Sequence, residues 1–160
     1  MIKNGKLFQY GDDKAAFQRA DIAVESDRIK AIGDLSSIIK ADRIIDAEGL
    51  YISPGFIDTH AHSEFTLLAD GRAQGKISQG VTTEINGNCG LSAAPLYGEA
   101  LERREDEMNA LGIKERWHTF DEYFNILSRE GIALNFATLA GHNNLKASVT
   151  GYSDKDPSTA

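Results

Sequence analysis

The first fifty positions of the sequence carry short apolar runs that are separated by turn residues. The runs cover positions 2–10, 20–25, 28–32 and 43–46. Ser26-Asp27 separates two of them, and Glu48-Gly49 follows the last one, both being pairs that favour tight turns. Because short strands at such spacing are typical of all-β units, the pattern predicts a small β-sandwich subdomain over residues 1–53.

After Ser53-Pro54-Gly55 the pattern changes to apolar strands that alternate with helix-sized segments. The predicted strands are 56–60, 81–85 and 132–139, and the predicted helices are 72–79, 96–111 and 120–130. The last helix has the best local signals, because Thr119 can cap its N-terminus and Glu122 follows three residues later. Such alternation indicates βα units around a parallel sheet over residues 54–160. Beyond them, Ser158 or Thr159 could cap a further helix.

The composition narrows the class of protein. Among 160 residues, 41% are hydrophobic and 26% are charged, as in ordinary globular proteins. The net charge is −7 and no Lys/Arg cluster has interleaved aromatic residues, so we expect no nucleic-acid partner. No apolar run approaches the roughly 20 residues that cross a bilayer, and a signal-peptide core is lacking. The single cysteine, Cys89, excludes an internal disulfide, so we expect a cytoplasmic protein with no membrane partner.

His60 and His62 flank one small residue at the end of the first predicted strand of the parallel sheet. Alternation along a strand places both imidazoles on one face, about 6.6 Å apart. Two imidazoles at that spacing can tilt to bind one divalent cation at roughly 2.0–2.1 Å. The alternative is a pair of solvent-exposed loop histidines. Asp58, two residues earlier, shares the face and could orient a ligating imidazole as a second-shell carboxylate, or it is a strand-end carboxylate in water.

Cys89 lies just past the second strand of the parallel sheet, at the same edge as His62. Three interpretations remain open from the residues alone: a small buried apolar side chain, a nucleophilic thiolate with a histidine base, or a metal ligand. His142 follows the third strand at that edge and is a candidate substrate contact, the alternative being an exposed loop histidine. Glu64 lies close to the histidine pair and could support a ligand as a second-shell residue, but we expect a solvated loop carboxylate. His118 is assigned no role.

Three motifs resemble one known family. The stretch from Pro54 to His62, PGFIDTHAH, resembles the first barrel strand of the amidohydrolase superfamily. SQGVTT at 78–83 and GNCGLS at 87–92, followed by Ala94-Pro95, are similar to its D-aminoacylase branch, the N-acyl-D-amino-acid deacylases. Residues 141–146 are similar to a third segment of that branch. The resemblance extends to Lys146, with residues 96–130 contributing least.

The resemblance implies a fold and an activity. The fold is α/β, the N-terminal part of a metal-dependent (β/α)8 TIM barrel preceded by a small β-sandwich domain. A complete barrel takes about 250 residues, so residues 54–160 hold about three of its βα units. The activity is zinc-dependent hydrolysis of a linear amide, with a small-molecule N-acyl-D-amino acid as substrate. The remainder of the barrel is expected in cis or from a homo-oligomer.

The resemblance also implies roles for single residues. His60 and His62 bind one metal position, and Cys89 is a ligand of the zinc ion that this branch holds more tightly. The resemblance implies one or two zinc ions in all. A soft thiolate favours zinc over magnesium independently of the family, so the nucleophile interpretation becomes a minor one. The acid–base aspartate is expected beyond this chain, so no catalytic residue is assigned here, and the isolated 160 residues are expected to be inactive.

Two alternative functions are compatible with parts of the sequence. A cyclic-amide hydrolase of the dihydroorotase or dihydropyrimidinase kind keeps the fold, but those relatives bridge their metals with a lysine carboxylate, whereas the second strand here ends in Asn88-Cys89-Gly90. A catalytically inert fragment is the other alternative. Glu84 departs from the family pattern, because it puts a carboxylate in a strand that is usually apolar, and we expect either an edge location or a buried partner for it.

Overall fold

The computed structural model describes residues 1–11, 14–37 and 40–154. Its contacts divide the chain into two compact units, Met1–Pro54 and Gly55–Ala160. The predicted subdomain boundary lies one residue earlier, between residues 53 and 54. Ser158 and Thr159, the expected helix caps, lie outside the described residues. No helix in the described ranges combines the length and the apolar character that crossing a membrane requires.

The first unit holds one mixed sheet in its described part. Its strands are β1 (Ile2–Gly11), β2 (Lys14–Glu25), β3 (Arg28–Gly33), β4 (Ile45–Asp46) and β5 (Tyr51–Ile52). β1, β2 and β3 form an antiparallel meander, and β4 and β5 both pair with β1 in parallel. β2 begins six residues before the predicted strand at 20–25, because its antiparallel register with β1 continues to the pair Gly11↔Lys14.

The second unit holds a three-stranded parallel sheet with strands in chain order, as the βα alternation predicted. The strands are β6 (Phe56–Asp58), β7 (Val81–Asn86) and β8 (Asn135–Thr138). The helices are α1 (Thr66–Ala69), α2 (Gln74–Ile77), α3 (Glu99–Ala110), α4 (Phe120–Glu130) and α5 (His142–Thr150). α2 is half the length predicted for 72–79, and Ala73 before it adopts a left-handed backbone with φ of 46°.

α4 confirms its local signals. The hydroxyl of Thr119 accepts the backbone N–H of Glu122, and the Glu122 carboxylate accepts the backbone N–H of Thr119 over 2.9 Å, which is a complete capping box. The helix ends at Gly131, whose φ is 77°. Tyr123, Ile126 and Leu127 form its buried face, so α4 packs onto the sheet by an amphipathic stripe.

One apolar cluster fills the second unit and supports the loops that follow the strands. Trp117 is a buried member of this cluster, with its ring against those of Phe65 and Tyr123. The indole N–H of Trp117 donates to the carbonyl of Ala93 over 2.7 Å, so a buried polar group is satisfied. Because Ala93 follows the end of β7 by a few residues, this hydrogen bond anchors the segment that carries Cys89.

Candidate metal centre

β6 ends earlier than predicted. The strand stops at Asp58, and His60 lies in a bend and not in a strand that extends to position 60. The Asp58 carboxylate accepts the backbone N–H of His60 over 3.1 Å, and such a local side-chain bond competes with a strand ladder. Ala61 still donates to the carbonyl of Ile85 over 3.1 Å. The segment of residues 60–63, called the histidine segment below, therefore leaves the sheet but stays attached to β7.

Cys89 is presented by a loop of unusual backbone. Gly87, Cys89 and Gly90 have φ of 79°, 55° and 76°, the left-handed region that costs a non-glycine residue about 1–2 kcal/mol. A Cβ on Gly87 would collide with the carbonyl oxygen of Leu139 after β8, so only glycine lets the loop pass there. The strain at Cys89 is a feature that clusters at functional sites.

The three predicted metal ligands lie together. One donor atom from each of His60, His62 and Cys89 lies within 4.8 Å of the others. The Nε2 atom of His60 is 3.2 Å from Sγ of Cys89, and the two imidazole centroids are 5.4 Å apart. In a tetrahedral zinc site, nitrogen and sulfur donors are separated by about 3.3–3.6 Å. The trio is exposed, and its spacing fits one cation after small side-chain rotations.

Asp58 lies beside the trio and contacts a lysine. Its Oδ2 atom is 2.6 Å from Nζ of Lys76. The hydrogen bond from Lys76, followed by that from the His60 backbone, holds the pKa of Asp58 below its usual value, and the same bond raises the pKa of Lys76. No described hydrogen bond joins Asp58 to an imidazole nitrogen. Its role in orienting an imidazole directly therefore stays a prediction, and its observed contact is with the backbone of His60.

Glu84 has the buried partner that the sequence left open. Its side chain is 0% exposed, and Oε1 lies 3.0 Å from Nζ of Lys76. That oxygen has no hydrogen bond of good angle, so the ammonium charge is its compensation. The hydroxyl of Ser63 donates to Oε2, and the amide of Asn86 lies 3.4 Å from it. Sequence reasoning missed Lys76, Ser63 and Asn86, although two polar residues on one face of β7 are a signal of a buried polar network.

Glu64 corrects an expectation. It is buried, with 5% exposure, and not a solvated loop carboxylate. Its Oε1 atom accepts the backbone N–H of Gly87 over 2.9 Å, and its carbonyl accepts the hydroxyl of Tyr123 over 2.8 Å. Burial, followed by the charges of Glu64 and Glu84, raises the pKa of Tyr123. The residue after the histidine segment is therefore tied to the loop of Cys89.

The other two histidines lie in different settings. His142 is exposed and is the first residue of α5, and the next residue, Asn143, donates its backbone N–H to the carbonyl of Gly90 over 2.9 Å. The start of α5 is thus fixed beside Cys89. The ring of His118 stacks on that of Tyr97 at 4.8 Å, and its Nδ1 atom is 2.7 Å from the carbonyl oxygen of Leu96.

Comparison with known proteins places this arrangement in a family. A sequence model described as the amidohydrolase family matches residues 43–151. A D-aminoacylase from Alcaligenes xylosoxydans xylosoxydans is 42% identical over 132 residues, which cover 82% of this chain and 27% of that protein. The resemblance that the motifs predicted is therefore confirmed.

Two crystal structures extend the comparison. A D-aminoacylase described as defining a novel subset of amidohydrolases is similar with a TM-score of 0.76 and 37% identity, over 93% of this chain and 31% of that one. An N-acyl-D-glutamate deacylase from Bordetella bronchiseptica, complexed with zinc and a phosphonate inhibitor, is similar with a TM-score of 0.77 and 34% identity, over 93% and 30%. These matches confirm the predicted α/β fold class. The chain spans less than a third of these relatives' length.

Proposed function

We propose, because this chain belongs to the amidohydrolase family, that it is the N-terminal portion of a zinc-dependent hydrolase that deacylates N-acyl-D-amino acids. The observation that carries the proposal is the trio His60, His62 and Cys89, whose donor atoms lie within 4.8 Å of one another. The substrate class is supported by the names of the relatives, a D-aminoacylase and an N-acyl-D-glutamate deacylase.

In this proposal the trio holds one zinc ion. A site of two imidazoles and one thiolate suits zinc, because thiolate is a soft donor that magnesium and calcium do not prefer. The relative complexed with zinc supports the same metal. When bound, a zinc ion polarises a carbonyl as a Lewis acid and lowers the pKa of water to about 7.

The residues around the trio position it and leave it open. Asp58 holds the backbone of His60, and the exposure of all three ligands leaves room for a small molecule. His142, at the start of α5, is proposed to contact the substrate. We assign the acid–base role to no residue of these 160, since the family resemblance puts that aspartate in a later strand of the barrel.

The remaining assignments have separate support. We propose that residues 1–53 belong to a β-sandwich subdomain, of which the described strands of the first unit form one mixed sheet, and that residues 54–160 are the first part of the barrel, completed in cis or by a homo-oligomer. We place the enzyme in the cytoplasm, because Cys89 is the single cysteine of the sequence and must stay a reduced thiolate to bind metal.

The test uses the full gene product, purified with and without a chelator and assayed on N-acetyl-D-leucine, N-acetyl-D-glutamate and their L-enantiomers. We expect zinc-dependent release of acetate from the D-substrates, with loss of zinc and activity in His60→Asn and in Cys89→Ser. Lys30→Met, which breaks an exposed ion pair with Glu25 in the first unit, is the matched control. Turnover that persists in the zinc-free protein, or in Cys89→Ser, would overturn the proposal.

A further inference from the structure

Lys76 bridges two strands of the parallel sheet. Its ammonium lies 2.6 Å from Oδ2 of Asp58 at the end of β6 and 3.0 Å from Oε1 of Glu84 in β7. Asp58 and Glu84 are register partners, and partners on neighbouring strands project to the same side of a sheet. One cation thus joins the last residue of β6 to the strand beside it.

The bridge lies on the helix-covered side of the sheet. Glu84 is also the register partner of Phe136 in β8, and the ring of Phe136 packs 5.8 Å from that of Tyr123 in α4. Lys76 itself comes from α2. The ammonium therefore lies on the helix-covered side of the sheet and is linked to the candidate metal centre only through the two carboxylates.

Each carboxylate uses its second oxygen to hold one end of the histidine segment. Oδ1 of Asp58 accepts the backbone N–H of His60, and Oε2 of Glu84 accepts the hydroxyl of Ser63. Ser63 also donates its backbone N–H to Oδ1 of Asn86 over 2.7 Å. The histidine segment is therefore held at both of its ends, at His60 by Asp58 and at Ser63 by Glu84. Both carboxylates contact the ammonium of Lys76.

The charges explain why the bridge needs a cation. Glu84 is fully buried, and the side chains of Asp58 and Lys76 are 29% and 34% exposed. A buried carboxylate without a partner is strongly unfavourable, and the two carboxylates would repel each other across adjacent strands. Removing the ammonium therefore favours movement of Asp58 or Glu84 toward water, and either movement releases the histidine segment.

From this geometry we propose that Lys76 is a positioning residue for the metal centre, acting through Asp58 and Glu84 to fix the backbone that carries His60 and His62. The proposal rests on the proposed zinc site. Lys76 does not contact a ligand atom in this arrangement, so its effect is on the affinity for the metal and on the coordination geometry. Outer contacts of this kind typically change metal affinity by about 10–100-fold.

The experiment measures zinc affinity of the full chain by competition with a chromophoric chelator, together with the visible absorption of the cobalt-substituted protein. We expect Lys76→Met to weaken zinc binding by about 10–100-fold and to shift the cobalt bands, and Lys76→Arg to restore both. Ser63→Ala removes the hydrogen bond from the Ser63 hydroxyl to Glu84 and leaves the ammonium of Lys76 in place. We expect this variant to lose zinc affinity as well, but less than Lys76→Met. This second variant decides the matter if Lys76→Met does not fold.

Two reference variants separate this inference from the proposed function. Cys89→Ser is expected to lose zinc, and Lys30→Met to behave as the unchanged protein. If the unchanged protein binds zinc and Cys89→Ser does not, while Lys76→Met and Ser63→Ala keep the original affinity and cobalt spectrum, the positioning role is wrong and the zinc site stands. If the unchanged protein binds no zinc, both are overturned.

Discussion

His60 and Cys89 are 29 positions apart in the sequence, yet Nε2 of the histidine lies 3.2 Å from Sγ of the cysteine. The parallel pairing of β6 with β7 brings them together, because both residues follow the carboxyl ends of neighbouring strands and those ends meet at one edge of the sheet. The result is a mixed nitrogen and sulfur donor set in which Cys89 supplies the soft donor.

Replacing the thiolate with a carboxylate tests that preference. In Cys89→Asp we expect the zinc affinity relative to the Mn²⁺ affinity to fall, because a carboxylate is a hard donor that suits manganese. The loss of a residue that only supports a ligand changes metal affinity by up to about 100-fold, so we expect the replacement of a ligand to have a larger effect. Competition titrations of the full chain with both metals measure the ratio. An unchanged ratio would show that Cys89 does not ligate the metal.

Gly87→Ala tests the close passage of the cysteine loop. Gly87 and Gly112 have similar φ angles, 79° and 72°. A Cβ on Gly112 would meet nothing within 4 Å, whereas one on Gly87 would collide with the carbonyl of Leu139. We expect Gly112→Ala to lower the free energy of unfolding by about 1–2 kcal/mol, the cost of a left-handed alanine. Gly87→Ala should cost clearly more and should also weaken zinc binding.

Urea denaturation of both glycine variants, with zinc titration beside it, makes the comparison. Equal stability losses in the two variants, with zinc binding intact in both, would contradict the assigned contact with Leu139.

Glu122→Gln tests the capping box through pH. The backbone N–H groups of His118 and Thr119 hold the pKa of Glu122 below its usual value of 4.5, so its ionised form is favoured by folding. That contribution to stability is fully present above pH 4.5 and is lost as the pH falls through the lower folded-state pKa. We expect the difference in unfolding free energy between the unchanged protein and Glu122→Gln to shrink as the pH is lowered from 7 to 3.

Chemical denaturation at several pH values follows that difference. The matched control is Glu48→Gln, at an exposed side chain for which no hydrogen bond is described, and it gives the effect of the same substitution away from a helix cap. A Glu122→Gln difference that grows toward low pH would contradict the lowered pKa of Glu122.

Local signals were enough to predict some elements from the sequence. α4 begins and ends where the Thr119 cap and Gly131 indicated, because both signals act within a few residues. The gathering of His60, His62 and Cys89 also followed from the sequence, since parallel strands bring their carboxyl ends to one edge whatever the side chains between them.

Other features depended on contacts that a single sequence does not reveal. β6 stops at Asp58 because its carboxylate turns back to His60, and its other oxygen is held by Lys76 from a different element. Glu64 is buried because its side chain meets the backbone of Gly87. Asp58 and Glu64 are both of residue types that usually lie in water, and both have a partner that is distant in the sequence. Such a partner becomes visible only in the tertiary structure.

The exposed side of the parallel sheet gives a last prediction about residues 1–160 alone. Ile57, on the side opposite Asp58, is 61% exposed in β6, and its neighbour Phe56 is 58% exposed. No described strand pairs with the outer edges of β6 and β8, and unpaired edges beside apolar side chains favour association between chains. We expect this polypeptide, expressed alone, to elute from size-exclusion chromatography ahead of a monomer.

Ile57→Lys separates this cause from general instability, because inward charges on a strand edge oppose edge-to-edge pairing. We expect the variant to shift the isolated polypeptide toward the monomer, whereas Val149→Lys, at an even more exposed apolar position on the α5 helix, should leave its elution unchanged. In the full chain, where we propose that further barrel strands cover Ile57, the same lysine would be buried and should destabilise the protein. A monomeric 160-residue polypeptide, together with a full chain that tolerates Ile57→Lys without loss of stability, would show that this side of the sheet faces solvent in the complete protein.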